Sequence, residues 1–182
     1  MNMLNEKDCL VLIIDIQEKL LNAVFNPETV SKNAEIIAKT ADLLNIPVIV
    51  TEQYPVGLGS TADNLTEALS DTTRYFEKNT FSAFDNPEIV ETMRLSRCKQ
   101  IVLFGIETHI CVSQTANALI NAGYDVSVVA DACGSRSEIE YQAGLDRIKD
   151  SGGHIITTEI ALFEWLRGAK HPMFKEVQKL IK

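Results

Sequence analysis

The chain has 182 residues, 46% of them hydrophobic, with 17 basic against 25 acidic side chains and a formal net charge of −8. That length and apolar content fit one domain spanning 1–182 with a sizeable core, and they exclude a disordered chain. The acidic balance disfavours a phosphate backbone, so no nucleic-acid partner is expected, and no run of Lys or Arg is longer than two. No segment reaches the ~18 apolar residues of a membrane span. The first apolar run sits between Asp8 and Asp15 without a small-residue cleavage site, so no signal peptide is expected either. The four cysteines, Cys9, Cys98, Cys111 and Cys133, form no C-x-x-C pair, and they read as reduced thiols of a cytoplasmic protein.

Along the chain, apolar runs alternate with helical patterns, the signature of a parallel sheet covered on both faces. A first strand is predicted near 9–14. Asp15 closes its aliphatic run and could cap a short helix from Gln17 to Leu21. Asn26-Pro27-Glu28 is a helix start, followed by Val30, Ala34, Ile37, Ala38, Ala41 and Leu44 at helical spacing. A second strand falls near 47–51. The stretch 52–62, with Pro55, Gly57 and Gly59, is the longest irregular one and suits a pocket wall. The third strand, near 73–77, runs into Lys78. Asn86-Pro87-Glu88 starts another helix with Ile89, Val90 and Met93.

The fourth strand spans 100–106. Thr108 is a candidate cap for a helix carrying Cys111 in its first turn, with Val112, Ala116, Leu119 and Ile120 at helical spacing and a stop at Gly123. The fifth strand is predicted near 125–130. Ser135-x-x-Glu138 and Ser137-x-x-Glu140 are overlapping capping boxes before a helix that stops at Gly152-Gly153. A sixth strand lies near 154–157, and Pro172 opens a last helix with Phe174, Val177, Leu180 and Ile181.

If the runs are parallel strands, Asp15, Lys78 and Cys111 share the edge where open α/β sheets place ligand crevices. A thiol is a weak nucleophile at its free pKa of roughly 8.5, and a cation or a helix N-terminus lowers that value. Lys78 and the helix start could both favour the thiolate, while Asp15 could take its proton. Each residue also has a plainer reading: a buried structural cysteine, a helix cap and a solvated loop lysine. None of the histidines suits Cys111 as a base. His109 is two residues away on the same helix and faces elsewhere, His154 begins a strand at the opposite edge, and His171 lies in the C-terminal segment. They form no metal-binding pattern, and no glycine-rich phosphate loop is present.

Taken together, these motifs resemble the isochorismatase-like cysteine hydrolase superfamily. They are Asp15-Ile16-Gln17, then Lys78-x-Thr80-Phe81-Ser82-x-Phe84, and the stretch from Gly105 to Val112 with Thr115-Ala116. The stretches Thr51 to Pro55, Gly57 to Gly59, Ala130 to Ala132, Ser135 to Ser137 and His171-Pro172 are similar to the isochorismatase domain-containing proteins in particular. The resemblance implies a three-layer α/β/α sandwich with a Rossmann-like six-stranded parallel sheet in the order 3-2-1-4-5-6. It implies an Asp15–Lys78–Cys111 triad and a cis peptide between Ile106 and Glu107, whose amide would join that of Cys111 in an oxyanion hole. Gln17, Gln53, Phe81 and Ile110 are the candidates for the substrate-binding wall. A homo-oligomer, dimer or larger, is expected. Relatives that act on nicotinamide carry a metal site built on an Asp-x-His motif after strand two. This chain has Thr51-Glu52-Gln53-Tyr54 there, so neither a metal nor another cofactor is expected, and nicotinamide is disfavoured. Relatives that cleave isochorismate commonly lack the cysteine. Its presence here favours attack on a small amide, carbamoyl or ester carbonyl. Two alternatives stand beside this expectation. One is a non-catalytic binding or scaffold protein that retains the fold. The other is a redox-responsive thiol protein in which Cys133 or Cys98 would resolve oxidised Cys111.

Overall fold

The Val- and Ile-rich runs become the strands of one parallel sheet in a computed structural model that describes residues 3–182. Met1 and Asn2 of the expected domain lie outside the described residues. The strands are β1 (Cys9–Ile14), β2 (Val48–Gln53), β3 (Arg74–Lys78), β4 (Gln100–Gly105), β5 (Asp125–Val129) and β6 (His154–Ile156). Their order across the sheet is β3-β2-β1-β4-β5-β6. Every residue of the two central strands β1 and β4 is buried, which is why their sequences show continuous apolar runs instead of alternation. Ile14 pairs with Thr51 on one side and Gly105 on the other, and Gln53 pairs with Lys78. This register brings the ends of β1, β2, β3 and β4 side by side.

The helices fall into two groups flanking the sheet. α2 (Pro27–Leu43) packs with α4 (Asp63–Ala68), α8 (Thr158–Leu166) and α9 (Phe174–Leu180). α6 (Ser113–Asn121) packs with α7 (Glu138–Asp150), following α5 (Pro87–Ser96) in the chain. Short helices α1 (Glu18–Leu21) and α3 (Pro55–Leu58) sit after β1 and β2. Among the described residues, no helix is long and apolar enough to cross a membrane.

Several local expectations are corrected. The stretch 52–62 is less irregular than its Pro and Gly content suggests. Glu52 and Gln53 extend β2, and α3 follows. The helices α4 and α8 are additions to the expected set. α8 buries Ala161, Leu162, Trp165 and Leu166, and the exposed apolar Ile160 and Phe163 on its other side obscure the helical period in the sequence. Asn26 occupies the N-cap position of α2, but its side chain turns away and donates to the Cys133 carbonyl at 3.1 Å. Of the two capping boxes, only Ser137 caps, accepting from the Glu140 N–H at 3.4 Å. Ser135 is fully buried and meets His109 Nδ1 at 3.1 Å instead.

Candidate active site

At the end of β1 the backbone turns sharply, because Asp15 adopts a left-handed conformation with φ of 51°. Aspartate tolerates that region better than most residues, but it is uncommon away from glycine. The turn aims the carboxylate inward. Asp15 is fully buried and has two partners: the Thr51 hydroxyl donates to Oδ1 at 2.6 Å, and Lys78 Nζ donates to Oδ2 at 2.6 Å. Its expected role as cap of α1 is therefore overturned. Gln17 holds that position, without a side-chain cap bond.

Lys78, the last residue of β3, carries its ammonium into the same interior, where its side chain has no exposed surface. The solvated-loop reading fails for it. Besides Asp15, its Nζ reaches Gln53 Oε1 at 2.7 Å and the carbonyls of Thr80 and Phe81 at 3.2 and 3.3 Å. A buried ion pair survives only with such additional partners, since removing two charges from water is costly.

The third residue arrives from β4. At its end Gly105 passes so close to β1 that a Cβ would stand 2.0 Å from the Ile14 carbonyl oxygen, and its φ is +136°. Only glycine fits that approach. The chain then runs through Ile106–Glu107, a cis peptide. A π-helical turn, Thr108–Val112, leads into α6 and carries Cys111. Thr108 does not cap this turn. Its N–H and its hydroxyl both donate to the Gly134 carbonyl, at 2.8 and 2.9 Å.

Cys111 is 6% exposed and lies against both Asp15 and Lys78. Burial is the largest influence on its thiol and, with Asp15, outweighs the pull of Lys78, so the pKa is pushed up to about 12. This reverses the lowered value expected from a cation and a helix start. The resting thiol is protonated, and a carboxylate stands beside it.

The four expected wall residues divide into two kinds. Gln17 is fully buried, and its amide is spent on the backbone. Nε2 donates to the carbonyls of Gln53 and Gly59, and Oε1 accepts from the Gln53 N–H at 2.8 Å. It pins the segment after β2. Gln53 bridges Lys78 to the Asn79 carbonyl, which its Nε2 meets at 3.2 Å. Phe81 is exposed at its ring, while Ile110 is half-buried against the core on the turn that carries Cys111. A cavity of about 500 Å³ lies beside this edge, lined by Tyr54, Glu77, Lys78, Asn79, Thr80 and Asp85 among others; Asp15 and Cys111 do not line it.

The histidines are engaged elsewhere. His109 meets Ser135 and, at 3.6 Å, Glu140; His154 meets Asp125 at 3.1 Å and His171 meets Glu6 at 3.3 Å. All four cysteines are free. Thr51 is a site residue that sequence reasoning missed. Its signal was a hydroxyl directly after the apolar Ile49-Val50, paired in register with the end of β1.

Known proteins resemble the chain over nearly its whole length. Residues 9–160 match the model of the isochorismatase domain. The chain is 43% identical over 180 residues to isochorismatase domain-containing protein 2 of Xenopus laevis, covering 98% of this chain and 85% of that protein. It is similar to the solved structure of the MAR1 ribonuclease of Caenorhabditis elegans, with a TM-score of 0.95, 35% identity, and 99% and 92% of the two chains covered. It is also similar to the ycaC gene product of Escherichia coli, described as an octameric hydrolase of unknown specificity. There the TM-score is 0.90, the identity 26%, and the coverage 100% and 95%.

Proposed function

The chain belongs to the isochorismatase family of hydrolases, in the group of isochorismatase domain-containing proteins, and on that premise we propose that it hydrolyses a small amide, carbamoyl or ester compound through a thioester on Cys111. The observation that carries this reading is the buried Lys78–Asp15 pair, with N–O distance 2.6 Å, set against an otherwise apolar thiol.

The steps follow from the partners each group has. When a substrate carbonyl approaches, Asp15 takes the Cys111 proton and the sulfur attacks the carbonyl carbon. Lys78, tied to Asp15 and Gln53, holds the carboxylate in line and offsets the negative charge that develops. The amides of Glu107 and Cys111 receive the oxyanion. Asp15 returns the proton to the leaving amine or alcohol, then activates a water that cleaves the thioester. Because the resting thiol is protonated, transfer to Asp15 accompanies attack. Phe81 and Ile110 form the apolar side of the mouth, and Gln17 acts indirectly by fixing the segment after β2.

The acidic chain offers little to a polyanion, so the ribonuclease activity in the name of the nematode neighbour is not carried over. A homo-oligomer, as described for the bacterial neighbour, and a cytoplasmic location complete the proposal, with one domain spanning the chain. The test is turnover against a panel of small primary amides, carbamoyl compounds and simple esters, read as ammonia or acid released. Turnover of at least one class, lost in Cys111→Ser and Asp15→Asn, is the expected outcome. Turnover that survives Cys111→Ser would remove the thioester from the mechanism.

A further inference from the structure

The segment that bears the Glu107 amide, one of the two proposed oxyanion donors, is held partly by bonds of its own turn and of β1, and partly from outside. The Glu107 carbonyl accepts from the Ile110 and Val112 N–H groups, and the Ile106 N–H donates to the Ile14 carbonyl. Gly105 to His109 is tied along its length to Gly134 to Arg136, a strip between β5 and α7. The Gly134 N–H donates to the Gly105 carbonyl at 3.2 Å, and Thr108 returns two bonds to the Gly134 carbonyl. The Glu107 carboxylate then receives three donors from one residue. The Arg136 backbone N–H reaches Oε1 at 3.2 Å, its Nε reaches Oε1 at 2.9 Å, and its Nη2 reaches Oε2 at 3.1 Å. On the outer side α7 closes down at Gly144, where a Cβ would stand 2.8 Å from the His109 nitrogen.

We infer that Arg136 is a positioning residue, whose fork on the Glu107 carboxylate fixes the orientation of the Ile106–Glu107 peptide and so of the amide that meets the oxyanion. The inference rests on the proposed thioester chemistry. Its physical basis is asymmetry of exposure. The Glu107 side chain is only 13% exposed and sits next to the amide in question, whereas that of Arg136 is 64% exposed. With the guanidinium so open to water, where solvent can replace it, its fork contributes little to folding. A bidentate fork nevertheless sets an angle that a point charge does not. An oxyanion donor acts only when aimed at the position the charged oxygen will occupy.

Two reactions at the same sulfur separate aim from integrity. With p-nitrophenyl acetate, the sulfur–carbonyl bond forms, the aryl ester C–O bond breaks, p-nitrophenolate leaves, and the thiol proton passes to Asp15; an oxyanion develops on the way. With iodoacetamide, sulfur displaces iodide at a saturated carbon and no oxyanion forms. Both rates are measured at Cys111 by peptide mass mapping in the full chain, for wild type, Arg136→Ala and Arg136→Lys.

The expected result for Arg136→Ala is acylation slowed roughly 10- to 100-fold, with alkylation and melting temperature unchanged. Arg136→Lys should fall between. Millimolar methylguanidine should restore part of the Arg136→Ala rate, because the vacated position is exposed. Equal acylation in wild type and Arg136→Ala overturns the inference, as does a parallel loss of both reactions, while the thioester reading stands. A wild-type Cys111 that alkylates but never acylates overturns both.

Discussion

The two ends of β1 each hold a buried thiol, and the contrast between them shows what makes a cysteine site. At the start, Cys9 is fully buried beside Trp165, whose indole Nε1 donates to its sulfur at 3.3 Å, and beside Gln100, whose Oε1 lies 3.5 Å away. At the far end, Cys111 is also buried, but beside a carboxylate and an ammonium. Burial pushes both thiols up, to about 11 and about 12. Thiol acidity therefore fails to tell them apart. What differs is a base in contact. Asp8, the acid nearest in influence to Cys9, spends Oδ1 on the Lys99 N–H, whereas Asp15 lies against Cys111 itself.

The sharpest way to break this contrast is Asp15→Asn, which keeps the shape and removes the base. Acylation of Cys111 should fall by about 10²- to 10⁴-fold, measured by p-nitrophenolate release, while reactivity at Cys9 stays as low as before. Next is Lys78→Ala. It leaves the Asp15 carboxylate buried without its ammonium, and the expected loss is roughly 3–5 kcal/mol of unfolding free energy by urea titration. A loss near zero would mean that water reaches the pair. At the opposite end, Cys9→Ala should cost about 1 kcal/mol from lost contact with Trp165 and leave Cys111 acylation untouched.

The last effect is on pH. A folded pKa above the unfolded one means the folded state holds the proton more tightly. The resulting stabilisation is complete below about pH 9 and fades as pH rises towards 12 for Cys111 and Cys133. Urea midpoints should therefore drop between pH 8 and pH 10, and the drop should be smaller in Cys133→Ala.

The same contrast explains which parts of the molecule were legible in the sequence. The strands β1, β2, β4 and β5 were readable because each is a short, largely buried apolar run, and the parallel register of β1, β2 and β3 puts Asp15 and Lys78 at one edge whatever the packing of the helices. The helices α2 and α5 announced themselves through Pro27 and Pro87. By contrast, α8 was unreadable, because its outward side carries the apolar Ile160 and Phe163 beside Glu159 and Glu164, which blurs the helical period. The polar residues before helices were ambiguous for a different reason. Asp15, Thr108 and Ser135 all looked like caps, yet each turns inward to a partner distant in the chain: Lys78, Gly134 and His109 respectively. Spacing does not reveal which way a short polar side chain turns. The acidity of Cys111 was misjudged likewise, since a helix start and a cation are visible locally whereas the depth of burial is set by the whole fold.

The most direct test of the central claim, that Asp15 and Lys78 serve Cys111 and no other thiol, is a rapid quench with p-nitrophenyl acetate, with acetyl groups mapped by peptide mass spectrometry in wild type and Asp15→Asn. The account predicts one acetyl group per chain, on Cys111, formed rapidly in wild type and slowly in the variant. Acetyl groups distributed over Cys98 and Cys111 at similar rates, unchanged by Asp15→Asn, would contradict it.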